Sequence, residues 1–193
     1  MRSSMLAMIG CLGMMFVVAA VGQEAASSPA GDQQPVADMC RDTVCQYNVR
    51  VQLKRKDGAV FDRTFEVMPG VVQPSYLAIL AGQSLHIEAD RVGDRLTNFR
   101  VVESVVHPEK TLAVTFQQSD DGGMLLKLSN PFDQALKFNM GMMSLDSDRL
   151  VKTSSCPVIA GGSSFESWPQ PLFQVVLANA HFVDLSKGNV ACN

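Results

Sequence analysis

The chain has 193 residues, 47% of them hydrophobic, with 16 basic against 19 acidic side chains and a formal charge of −3. That balance argues against nucleic acid or an anionic membrane surface as a partner, because neither finds a basic face against which to release counterions. The length fits one domain with a substantial core rather than several.

The first 22 residues carry the marks of a secretory signal. Arg2 supplies a short positive region, Met5 to Ala20 is apolar, and Ala20-Val21-Gly22 puts small residues before a cleavage point. A membrane role follows only if this segment is retained as an anchor. Residues 23–38 are rich in Ala, Ser, Pro, Gly and Gln, too poor in apolar surface to fold, and predict a flexible linker. The folded domain is expected over 39–193.

Removal of the signal takes Cys11 with it and leaves Cys40, Cys45, Cys156 and Cys192. An even number in an exported chain predicts two disulfides, and the pairing Cys40–Cys45 with Cys156–Cys192 is favoured among three connectivities. A four-thiolate zinc site fits the spacing poorly.

Along the domain a period of two dominates. Tyr47, Val49, Val51 and Leu53 alternate with polar residues, Lys56-Asp57-Gly58 supplies a tight turn, and Ala59–Met68 returns as the partner strand. In 71–82, Ser75 caps a short helical turn that ends near Leu80. Further strands are predicted at Gln83–Asp90, Thr97–Val106, Lys110–Gln118, Met124–Ser129, Ala135–Leu145, Arg149–Val158, near Phe165–Trp168, and at Leu172–Leu185. The spacing predicts an all-β fold of about nine short strands, a sandwich or barrel. The order from Gly82-Gln83-Ser84-Leu85 through Thr111–Phe116 to Leu125–Pro131 resembles bacterial immunoglobulin-like domains. In those domains a strand opens after Gly-Gln-Ser and a later one ends in Asn-Pro. The resemblance implies an immunoglobulin-like β-sandwich, here with the two disulfides that the cysteine count predicts, and no particular activity.

No stretch carries a catalytic or cofactor signature. Ser163 and Ser164 lack a nucleophile elbow, and Asp120, Asp121, Asp146 and Asp148 fall in turns, where carboxylates are common. His86, Glu88 and Asp90 share one strand face, and His86 and Glu88 with His181 are the candidate copper or zinc ligands. Solvation of a sheet face is the simpler explanation and outweighs the metal reading. Met140, Met142 and Met143 suggest soft-metal chemistry, but their alternation with Leu136 and Phe138 assigns the first two to the core. Trp168-Pro169-Gln170-Pro171 holds the only tryptophan, which either plugs one end of the fold, the weightier reading, or is displayed on a stiff loop; the segment is still the expected contact for a protein partner in the envelope or outside the cell. The expected function is a non-enzymatic, cofactor-free binding or structural module of a bacterial cell envelope, periplasmic or secreted. A periplasmic metal binder and a secreted enzyme inhibitor are the alternatives.

Overall fold

A computed structural model describes residues 40, 41, 43–188, 191 and 192. The signal segment 1–22 and the linker 23–38 lie outside the described residues.

The chain is all-β, and tight turns set its pairing. Strands β1 (Cys45–Lys54) and β2 (Val60–Pro69) pair antiparallel. Their turn is closed by Arg55 N–H on the Ala59 carbonyl and by Ala59 N–H on the Asp57 side chain, with Gly58 at φ 87°. Only glycine reaches that angle without a steric penalty, so Asp-Gly is the chemistry the turn demands. Strands β6 (Thr111–Gln118) and β7 (Met124–Ser129) are joined in the same way across Ser119–Gly123. There the Asp121 carboxylate accepts from the Ser119 hydroxyl and the Gly123 N–H. Those bonds favour the charged form and hold Asp121 below the ordinary aspartate range.

The remaining strands are β3 (Tyr76–Leu80), β4 (Gln83–Val92), β5 (Arg95–Val102), β8 (Ala135–Ser144), β9 (Val151–Thr153), β10 (Ser163–Trp168) and β11 (Leu172–Val183). Nine strands form one sheet in the order β10-β7-β6-β4-β5-β11-β8-β9, with β3 added on β11, and the β1–β2 hairpin forms a second. The large sheet curls into a half-barrel, so the immunoglobulin-like sandwich is not confirmed. Alternation specifies which face of a strand is buried but leaves open which strands become neighbours.

The inner face follows the sequence pattern closely. Leu112, Val114 and Phe116 of β6, Leu126 and Leu128 of β7, and Leu136 and Phe138 of β8 are all buried in one cluster. Val51, Leu53 and Met68 of the hairpin join it. Tyr47 does not: it is 65% exposed, and between it and Val49 the backbone turns left-handed at Asn48, φ 54°. The hairpin is fastened to the end of β6 by a reciprocal pair, Lys54 N–H to Gln118 Oε1 at 2.7 Å and Gln118 Nε2 to the Lys54 carbonyl at 2.8 Å.

Residues 76–80 correct the expected helical turn. Leu77, Ala78, Ile79 and Leu80 are all buried, and the segment is a strand on β11. A short run apolar on both faces has no period to separate strand from helix, and partners on both edges decided it.

The ends of the half-barrel, β9 and β10, approach each other and are tied by side chains. Trp168 is 8% exposed, packs edge-on against Phe116 at 6.1 Å, and donates its indole N–H to Thr153 Oγ1 at 3.2 Å. The Cys156 N–H donates to Glu166 Oε1 at 3.0 Å. Asn130, also buried, gives its amide hydrogens to the Gln134, Val158 and Ile159 carbonyls and accepts from the Phe132 N–H. It thereby pins the segment after β9 to the β7–β8 turn. The disulfides are Cys40–Cys45 and Cys156–Cys192. The second ties the C-terminal end to this seam, where Lys137 Nζ bonds the Ser155 and Ala191 carbonyls. Two disulfides fit a non-cytoplasmic, oxidising environment.

Candidate binding cleft

A cleft arises where the sheet forks. One edge of β11 is covered by β8 along its length. On the other edge β3 pairs with Gln174–Ala178, while β5 pairs only through Arg95 and His181. Beyond Arg95, β5 would continue along the stretch that β3 occupies, so it diverges instead. The outer edge of β3 is in turn used by the preceding segment, through Ala78 N–H on the Val71 carbonyl and the Val72–Leu77 bridge. The crotch of this fork is a cleft of about 800 Å³. Residues 95–99 of β5 form one wall, residues 72–76 the other, and 177–180 of β11 the floor. That volume lies in the range of ordinary ligand sites.

Two irregularities shape it. The β4–β5 ladder shifts register between Glu88 and Asp90, and the β11–β8 ladder shifts between Ala178 and His181. At each bulge an asparagine takes left-handed backbone, Asn98 at φ 51° and Asn179 at φ 52°. Such positions cost roughly 1 kcal/mol or more, and they cluster where a side chain must be re-aimed. Asn179 accepts from Arg95 Nη1 at 3.0 Å through Oδ1, and its carbonyl lies 2.7 Å from His181 Nδ1. Asn98 donates to Asp90 at 3.2 Å.

Arg95 is the one formally charged residue lining the cleft. No carboxylate pairs with it among the described residues; its contact is the neutral Asn179 amide. On the opposite wall Gln73 is 4% exposed and donates from Nε2 to the Val44 and Gly70 carbonyls. Its Oε1 has no bonding partner among the described residues, yet no side-chain N or O there is both sealed from solvent and unbonded. The oxygen is therefore not sealed from solvent, and Gln73 is among the residues lining the cleft. The site thus offers a guanidinium, an unbonded amide oxygen on a lining residue, an exposed strand edge and apolar surface from Val72, Tyr76 and Phe99.

The sequence pointed elsewhere. Trp168 is buried and serves as core; in the expected partner loop Pro169 is exposed, Gln170 half-buried and Pro171 buried. Gln170 and Pro171 instead border a smaller notch of about 420 Å³ with the hairpin tip and Asp146, whose carboxylate pairs with Arg55. His86, Glu88 and His181 are not brought together. His86 sits opposite Val102 and His181 opposite Arg95, at far ends of β5, roughly 20 Å apart at strand rise. Glu88 is 5% exposed and already held by Arg100 at 2.6 Å and Lys110 at 3.7 Å. Met140 is buried in the core and Met142 packs against it.

The residues that sequence reading missed left one trace. Asn98 and Asn179, like Asn48 in β1, fall inside predicted strands, and asparagine is both scarce in strands and tolerant of left-handed backbone. Arg95 and Gln73 carry no such mark. Comparison with protein-family models, with characterised proteins and with solved structures found no match.

Proposed function

We propose that this protein is an exported, non-enzymatic binding module of the bacterial cell envelope, periplasmic or secreted, that contacts a protein partner at the fork. The observation that carries this reading is the cleft itself. A disulfide-tied domain keeps an uncovered strand edge, an arginine without a carboxylate and two strained asparagines in one place. Rigid walls favour binding because little entropy is lost when a partner is seated. The signal-like N-terminus and the disulfides support export. For the β4, β6 and β7 part of the sheet we retain the immunoglobulin-like reading, supported by β4 opening after Gly82 and β7 ending before Asn130-Pro131.

The test is isolation of the chain from its native envelope fraction without reductant. The reading expects a stoichiometric companion protein that is lost when Ser75, an exposed residue at the cleft mouth, is replaced in Ser75→Trp. A chain that elutes alone under gentle extraction would count against it.

A further inference from the structure

We infer that the fork cleft takes the free C-terminal end of a partner polypeptide, laid as a short extended strand against β5 with its terminal carboxylate on Arg95. This deepens the binding-module reading and rests on it. Three independent features converge.

The first is the edge. β5 bonds β4 on one side, and on the other side it pairs only at Arg95 among the described residues. Its next residues therefore present alternate N–H and C=O groups to the cleft, the template for β-strand addition. Residues 95–99 span about 16 Å at strand rise, room for four or five peptide residues.

The second is direction. Antiparallel pairing is the commoner choice. A strand antiparallel to β5 runs from the Val102 end towards Arg95, so its C-terminus arrives where β11 and the Asn179 bulge block further travel. An internal segment of a polypeptide would collide there; a chain end would not.

The third is charge. Arg95 is the cleft's one charged lining residue, and it lies at that blocked end, steadied by Asn179. Its planar guanidinium matches a carboxylate and keeps donors to spare after the bond to Asn179. Across the cleft the Gln73 oxygen is an acceptor for a backbone N–H of the guest. The Asn98 bulge interrupts the β5 edge after Thr97. It restricts regular pairing to the residues beside Arg95, so recognition concentrates on the guest's last few residues. A bulge on an exposed edge also discourages indiscriminate sheet extension.

The experiment is selection from a library of random heptapeptides displayed with free C-termini, using the oxidised domain as bait. Fluorescence anisotropy on the enriched peptides then compares each free acid with its C-terminal amide. The inference expects enriched apolar peptides whose amides bind at least about tenfold more weakly, the usual weight of a charge-assisted hydrogen bond. Arg95→Ala should cause a similar loss, Arg95→Lys a smaller one, and Ser75→Trp should abolish binding, all with unchanged melting. Amides that bind as well as acids, or binding that survives both Arg95→Ala and Ser75→Trp, would overturn it. So would a library that yields no peptide above the Ser75→Trp background. If that happens while the companion still co-elutes from the envelope, the binding module stands and only the C-terminal mode is lost. If the companion is absent too, both fail.

Discussion

At the seam, where β9 and β10 end the curled sheet, side chains close what the backbone leaves open. Trp168 fills the interior and bonds Thr153, Glu166 holds the Cys156 N–H, and Asn130 satisfies three carbonyls. At the fork, where β5 leaves β11, the chain does the opposite. It inserts bulges, holds two of the three left-handed asparagines of the described residues (the third, Asn48, lies in β1) and leaves Arg95 without a carboxylate partner among the described residues. Both places face the same problem, a sheet that stops pairing. Only the first is solved for stability. On the proposed reading, strain and unused polar groups are kept at the fork for another molecule, although a filled solution is available a few strands away.

The sharpest way to break this comparison is at the seam. Trp168→Ala removes a buried aromatic and orphans Thr153, and should destabilise the domain by about 3–5 kcal/mol, read from urea unfolding under oxidising conditions. A loss below about 1 kcal/mol would mean that Trp168 is a displayed residue after all.

Asn130→Ala should follow, at roughly 2–4 kcal/mol in the same assay. It removes the buried amide that bonds the Gln134, Val158 and Ile159 carbonyls and leaves the buried Phe132 N–H without its acceptor, without creating a large cavity. An Asn130→Ala protein as stable as the parent would show that water replaces the side chain and that the turn is not a keystone.

The smallest effect belongs to the fork. Arg95→Ala and Ser75→Trp change exposed positions and should move stability by no more than about 0.5 kcal/mol. That is the pattern expected where residues serve binding. A large destabilisation by either would place the fork among the structural elements and erase the contrast.

How much of this was legible in the residues varies with the range of the interaction that decides it. Local chemistry was readable. Asp57-Gly58 and Asp121-Gly122 specify their turns, the alternation of Leu112, Val114 and Phe116 specifies an inner face, and cysteine parity specifies two disulfides. Non-local pairing was not. Residues 77–80 form a strand because β11 and Val71–Val72 flank them, which no local pattern records. Trp168 between glycines and prolines resembles a displayed anchor, and it is buried because Phe116 and Thr153 come from other strands. The fork is the extreme case. It exists because β3 and β5 compete for one edge of β11, and Arg95 becomes conspicuous only once that competition has placed it.

Amide hydrogen exchange of the oxidised native domain, resolved by residue along β5 and across the seam, tests the central claim most directly. The account predicts slow exchange at Cys156, whose N–H is bonded across the seam to Glu166, and at Val158, whose N–H is bonded to Leu136 of β8. It predicts an alternating pattern after Arg95, with amides bonded to β4 protected and those facing the cleft exchanging fast. Uniform protection along that edge of β5 would mean that the edge is covered in the free protein, and would contradict an open fork.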